Sequence, residues 1–144
     1  MSLLKIFDTA GSGMAAQSLR LNTVASNLAN ADSVSSSADS AYRAKELLFA
    51  PITSTAAGSV SQDASDGTNG VRMLGVTESQ QPIQSHYEPG NPMADADGRV
   101  YGSNVNPIDE LVNMISASRS YQNNAEVMNS AKQLALKTIE LGGN

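Results

Sequence analysis

Apolar residues recur over the first thirty positions at alternating steps of four and three: Leu3, Phe7, Ala10, Met14, Gln17, Leu21, Val24 and Leu28. All but Gln17 are apolar, which is the narrow seam of a coiled-coil-type helix rather than the broad face of a globular one. Met1 to Ala31 is predicted as a helix about 40 Å long. Gly11 and Gly13 each weaken it by about 1 kcal/mol relative to Ala. Regular helix is therefore expected from Gly13 onward, with the first ten residues frayed or separately positioned.

The same spacing returns at the other end of the chain. Leu111, Met114, Ser118, Tyr121, Ala125 and Met128 form one stripe, continued by Ala131, Leu134, Ala135, Thr138 and Leu141. Pro107 sits where a first-turn proline belongs, Asn106 is a candidate N-cap, and Asp109 and Glu110 face the positive end of the helix dipole. Lys132 and Lys137 lie toward the other end, and Gly142-Gly143 stop the helix. The predicted helix is about 50 Å long.

Residues 32–106 carry neither seam. Asp32 to Ala41 is a small-polar linker. Glu46 to Thr53 reads as a short strand, with Pro51 at a sheet edge or strand end. Ser54 to Gly70, rich in Gly, Ser and Asp, is expected to be mobile. Val71 to Ser79 and Pro82 to Gly90 flank Gln80-Gln81 and are predicted to form a β-hairpin; Asn91 to Gly98 ends in a turn before Arg99. The fold expected is mainly α. Long terminal helices (1–31 and 107–144) pair as an antiparallel coiled-coil-like core, and a small β-hairpin-containing insert (32–106) separates them.

Composition narrows the function. The chain has 144 residues, 4% aromatic residues and a formal charge of −5. Few rings and much Ala, Leu, Val, Ile and Met suit helix-on-helix packing better than a pocketed enzyme. An acidic chain without a Lys/Arg cluster argues against nucleic acid and anionic membrane surfaces. The absence of cysteine excludes disulfides and thiolate metal sites. No stretch reaches the ~18 apolar residues of a spanning helix, and the N-terminal residues do not have the pattern of a cleavable signal peptide.

Catalytic chemistry is equally sparse. His86 has no second His or Cys with which to hold a metal. Asp95, Asp97 and Gly98 match part of a calcium loop, but its first position would be Met93 and its twelfth Asn104, so a β-turn is the better reading. The serines from Ser33 to Ser40 have no nearby general base, and Gly67 and Gly70 form no phosphate-binding pattern with a Lys. No catalytic residue, cofactor site or metal site is expected.

The first helix carries only Lys5, Asp8 and Arg20 as charges up to Asn30. A free-standing coiled coil covers its outer faces with Glu, Lys and Arg. A face of Ser, Asn, Gln and Thr suits a helix surrounded by other protein, where such groups find hydrogen-bond partners; a weakly stable surface helix is the bland alternative.

At the termini the residues become specific. Asn22 to Asp32 (NTVASNLANAD) resembles the signature of flagellar rod, hook and hook-associated proteins, and Asn104 to Gly142 resembles the C-terminal signature of the same family, most diagnostically over Met114 to Gln122. Glu88 to Asn106 (EPGNPMADADGRVYGSNVN) is similar to the C-type proximal rod members. Many relatives follow the Ala-Asn pair with a short turn, whereas here the Ser-rich stretch from Asp32 to Ala41 precedes Tyr42-Arg43-Ala44.

The resemblance implies a structural subunit of the proximal rod with no enzymatic activity. Such a subunit leaves through the flagellar type III export apparatus and assembles helically in the periplasm as part of the drive shaft. Its implied partners are copies of itself, homologous rod subunits, the export apparatus and proteins of the MS-ring junction. Subunit packing is expected from Leu3, Phe7, Met14, Leu21, Val24, Asn27, Leu28 and Asn30 on the first helix. On the second it is expected from Leu111, Met114, Ile115, Ser118, Arg119, Tyr121, Ala125, Met128, Leu134 and Leu141. A secreted coiled-coil effector or adaptor is the alternative.

Overall fold

The computed structural model describes residues 3–52 and 70–142. The stretch expected to be mobile lies, apart from Gly70, outside the described residues, as do Thr53 and Gly143. Two helices and five strands follow in the order α1 (Leu3–Ala29), β1 (Val34–Ser35), β2 (Lys45–Pro51), β3 (Val71–Glu78), β4 (Ser85–Tyr87), β5 (Arg99–Gly102) and α2 (Pro107–Gly142).

This corrects the expectation of a mainly α fold with one hairpin insert. The strands form two antiparallel sheets, one ordered β1-β5-β4 and the other pairing β2 with β3. The predicted hairpin does not form. Its first strand pairs back with β2, closed at one end by Ser79 N–H donating to Ala44 O and at the other by Ile52 N–H donating to Gly70 O, both at 2.8 Å. Its second strand pairs forward with β5, His86 opposite Val100. The intended turn is held open because the Ser79 and Gln81 carbonyls accept from Arg43 and Asn104 side chains. The Ser-rich linker also supplies a strand: Val34 faces Gly102 and Ser35 faces Tyr101.

Helix α1 starts at Leu3 and runs through both glycines, so Leu3 to Ala10, expected from sequence to be frayed or separately positioned, are helical. The chain forms two compact units, the first from α1 up to Leu19, the adjoining ends of β2 and β3, and α2 from Ala117; the second from Arg20–Leu48 and Gly75–Ser116. In the first, Gly11 lies against Met128, and a Cβ on Gly13 would come within 2.8 Å of Asn124 Nδ2. Gly13 thus lets α1 and α2 approach closely. Their interior is made of small residues: Ala10, Ala16, Ala117 (0% exposed) and Ala131.

In the second unit Val24, Ala41, Val100 and Val105 are buried, and the largest fully buried side chains are Val100 and Asn27. Helix α2 begins as its sequence indicates. Asn106 Oδ1 accepts the Ile108 N–H at 3.1 Å, its Nδ2 donates to Asp109 Oδ2 at 2.8 Å, and its carbonyl accepts the Glu110 N–H, so the N-cap and first turn satisfy each other.

Candidate assembly surfaces

The end of α1 is organised by two asparagines. Asn27 is 2% exposed. Its Nδ2 donates to Lys45 O at 3.0 Å, while its Oδ1 accepts from Lys45 N–H at 2.9 Å and from the Tyr42 hydroxyl at 3.1 Å. A buried amide with both ends occupied is stable where a half-satisfied one is costly. Asn30 Nδ2 donates to Ser26 O at 2.7 Å, and the Asn30 carbonyl accepts from both the backbone N–H and the hydroxyl of Ser33. Carbonyls that the last helical turn would leave bare are thereby satisfied. The spacing Ser26-Asn27 … Asn30 is a device for ending one helix and fixing the strand that follows.

Asn104 performs the same task between different segments. Its Oδ1 accepts the Ala44 N–H at 2.7 Å and its Nδ2 donates to Gln81 O at 3.0 Å and Ser79 O at 3.3 Å. Neither Asn104 nor the Tyr42–Lys45 segment shows this role in sequence, because each partner is distant along the chain.

Asp95 builds the turn before β5. Its Oδ1 accepts the Arg99 and Asp97 N–H groups and its Oδ2 accepts the Tyr101 hydroxyl. These bonds, the Arg99 N–H first, hold the Asp95 carboxyl below its usual range against the opposing effect of desolvation, and Asp95 in return pushes the Tyr101 hydroxyl up. Gly98 adopts φ +73°, and a Cβ there would lie 3.0 Å from the Tyr87 ring and 3.1 Å from Pro89 Cβ. The acidic positions are consumed by turn geometry.

Glu110 is half-buried on the first turns of α2. Burial pushes its carboxyl up, Asp109 and Glu46 add to this, and the Asn27 amide opposes it. Its Oε2 is buried without a hydrogen-bond partner. A 220 Å³ hollow bounded by Arg20, Thr23, Lys45, Glu46, Glu110 and Asn113 lies beside it. Among the described residues, no three His, Asp or Glu side chains come together as metal ligands would.

The sequence-predicted packing residues divide by exposure. On α1, Val24 and Asn27 are buried, Phe7, Met14, Leu21 and Leu28 are half-buried, and Leu3 opens the helix; Asn30, expected on the helix, lies in the turn just after it and is half-buried. On α2, Met114, Ser118, Ala125 and Met128 are half-buried, whereas Leu111, Ile115, Arg119, Tyr121, Leu134 and Leu141 are exposed. Ile108, Val112 and Val127, not singled out from sequence, are exposed as well. Ile108, Leu111, Val112 and Ile115 stand at i, i+3, i+4 and i+7, a spacing that places them on one helix face and that was readable in the sequence.

Residues 96–141 match the C-terminal family of flagellar basal-body rod FlgEFG proteins, and residues 7–35 match the flagella basal body rod protein family. Over 99% of both chains the sequence is 52% identical to the flagellar basal-body rod protein FlgC of Salmonella typhimurium, and 51% identical to that of Escherichia coli O157:H7. The FlgC of Buchnera aphidicola from Acyrthosiphon pisum is 42% identical over 98% of both. The chain belongs to the FlgC family of flagellar basal-body rod proteins, structural rather than enzymatic components of the basal body.

Proposed function

We propose that the chain is a subunit of the proximal rod, exported through the flagellar type III apparatus and ordered fully by packing against its neighbours in the periplasm. The observation that carries this reading is what the isolated chain buries. All eight buried apolar residues among those described are Ala or Val, while Ile108, Leu111, Val112, Ile115, Val127, Leu134 and Leu141 are exposed on α2. Each Leu or Ile buried in full contributes about 1.5–3 kcal/mol, so most of the burial available to α2 awaits another chain.

The neighbours are copies of this chain and homologous rod subunits, with the MS-ring and export-gate side below and the distal rod above. The seam residues left half-buried or exposed, Phe7, Met14, Leu21 and Leu28 on α1 and Leu111, Met114, Tyr121, Leu134 and Leu141 on α2, supply the packing, while Val24 and Asn27 are buried within the chain. The test is mass spectrometry of detergent-purified hook–basal bodies from the source cell. Peptides of this chain at a stoichiometry comparable to other rod subunits are expected; their absence would remove the rod assignment.

A further inference from the structure

Strand β3 is an edge of the two-stranded β2–β3 sheet. It exposes large apolar side chains along its length, Leu74 at 59% and Val76 at 53% among them. The edge of β2 is closed at its start, where both backbone groups of Lys45 are bonded to Asn27. On the outer edge of β3 only the ends are met. The Val71 N–H donates to Ser12 Oγ, and the Glu78 carbonyl accepts from the side chain of Gln80, an exposed residue. From Arg72 to Thr77 no third strand pairs with this edge among the described residues. A two-stranded ribbon is marginal in water and gains stability from a third strand, and an open apolar edge is a template for one.

The order of residues along β3 is its own complement about Gly75. Arg72 and Glu78 stand three residues to either side, and Leu74 and Val76 one residue to either side. In a second copy running antiparallel and centred on Gly75, each Arg72 faces the Glu78 of the other copy, and each Leu74 faces the other's Val76. Opposite charges and apolar pairs directly across a ladder stabilise it. A parallel copy in register sets Arg72 against Arg72 and Glu78 against Glu78, which the same rule disfavours. Both charged side chains are exposed, and neither makes an ion pair or hydrogen bond among the described residues. Charges on a sheet edge commonly repel an incoming strand; here the two signs are placed to attract one particular strand.

We propose that the free chain pairs with a second copy edge to edge through β3, antiparallel about Gly75, so that two ribbons join into one four-stranded sheet of order β2-β3-β3-β2. The contact is isologous and closes as a dimer. It spans Arg72 to Glu78, and so requires neither the Val71 N–H, already bonded to Ser12, nor any residue of α1 or α2. It does not rest on the rod reading, and its failure leaves that reading untouched.

Gly75 lies on the two-fold axis, and a Cβ added there meets nothing within 4 Å. Directly opposed residues of antiparallel strands stand about 4.5–5.5 Å apart at Cα, a separation that a disulfide spans. The chain contains no cysteine, so full-length Gly75→Cys carries a single thiol. On oxidation with diamide, disulfide dimer is expected at least tenfold above that of Gly90→Cys, where a Cβ also meets nothing within 4 Å. Yields equal to the Gly90 control overturn the contact. Adding Arg72→Glu to Gly75→Cys should cut the dimer at least fivefold, and adding Glu78→Arg as well should restore it; a double reversal that restores nothing overturns the register.

Where Gly75→Cys disturbs the strand, Met73→Cys mixed with Thr77→Cys probes the neighbouring pair of the same register. A mixed dimer at least tenfold above either variant alone is expected, and equal yields overturn the proposal. Gly75→Cys is also oxidised in intact cells and its products identified by mass spectrometry. A disulfide to a different protein, in place of the dimer, overturns the second copy as occupant of the β3 edge.

Discussion

The side-chain amide of Asn27 binds both backbone groups of Lys45, donating to its carbonyl at 3.0 Å and accepting from its N–H at 2.9 Å. This is the hydrogen-bond exchange of a β-ladder, made by a side chain on a helix with the first residue of β2. Lys45 also places its ammonium 5.8 Å from the centre of the Tyr42 ring, within range of a cation–π attraction, and the Tyr42 hydroxyl returns to Asn27. Asn27→Ala strands the Lys45 N–H and carbonyl at once and leaves the Tyr42 hydroxyl only the Ser26 hydroxyl at 3.4 Å. A loss of about 2–4 kcal/mol is expected, since each buried group left unpaired costs about 1–3 kcal/mol and some regain water. Urea unfolding of the purified monomer measures it; a midpoint within error of wild type would show that the network carries no stability.

The end of α1 and the start of α2 were legible in sequence because the signals are local. Asn106 and Pro107 start α2 through bonds reaching no further than Glu110. The sheets were not. Val34 pairs with Gly102 and Ala44 with Asn104, so the information sits at the far end of the chain, and a local pattern assigned the nearest apolar run as partner. The helix interior was hidden for a different reason. Periodicity ranks Leu and Ile above Ala as interior residues, yet the α1–α2 contact closes on Gly13, Ala117 and Ala131. The large residues of α2, among them Leu111, Ile115 and Leu134, are left exposed.

Glu110 sets a pH dependence of one sign. Its carboxyl is raised in the folded state, first by burial, so between the ordinary and the raised value the folded chain holds more proton than the unfolded one. Stability therefore falls as pH rises through that window and is recovered on acidification. Glu110→Gln is expected to be more stable than wild type at neutral pH and to lose this component of the pH profile. Thermal unfolding from pH 4 to 8 distinguishes the two; parallel curves would mean that Glu110 is not penalised by folding.

Asp95 works in the opposite sense. Its carboxyl is lowered, chiefly by the Arg99 N–H, with Tyr101 and Asp97 contributing. Its contribution is present above the ordinary carboxylate range and is lost as pH falls through the lowered value. Tyr101→Phe removes one donor, so the Asp95 carboxyl should titrate at higher pH. Carbon-detected NMR titration of the Asp95 carboxyl reports this directly, and an unmoved midpoint would mean that the hydroxyl does not hold the charge.

At Gly98, alanine meets two obstacles. The backbone stands at φ +73° and the new Cβ is pressed between Tyr87 and Pro89. A non-glycine residue in this region costs on the order of 1–3 kcal/mol, and the close contacts add to it. Gly98→Ala should therefore lower the urea midpoint, whereas Gly90→Ala, where a Cβ meets nothing within 4 Å, should leave it nearly unchanged. Equal effects at the two positions would remove the positive-φ turn as the cause.

Two neighbouring positions on α2 separate folding from assembly. Ala117 is 0% exposed and Ile115 is 55% exposed. Aspartate at 117 must be buried among Ala and helix backbone with no partner, a change of the class that destabilises by several kcal/mol. Aspartate at 115 stands in solvent in the monomer, where a surface substitution moves stability by about 0.5 kcal/mol or less. In the rod the order of severity is not relieved for Ile115→Asp, because its side chain would then be enclosed by a neighbour. The expected outcome is that Ile115→Asp retains wild-type helical circular dichroism and urea midpoint yet abolishes swimming, while Ala117→Asp loses both. Normal motility of Ile115→Asp would show that the exposed ridge of α2 is solvent-facing in the assembled rod, and would shift the assembly surface to the half-buried seam of α1.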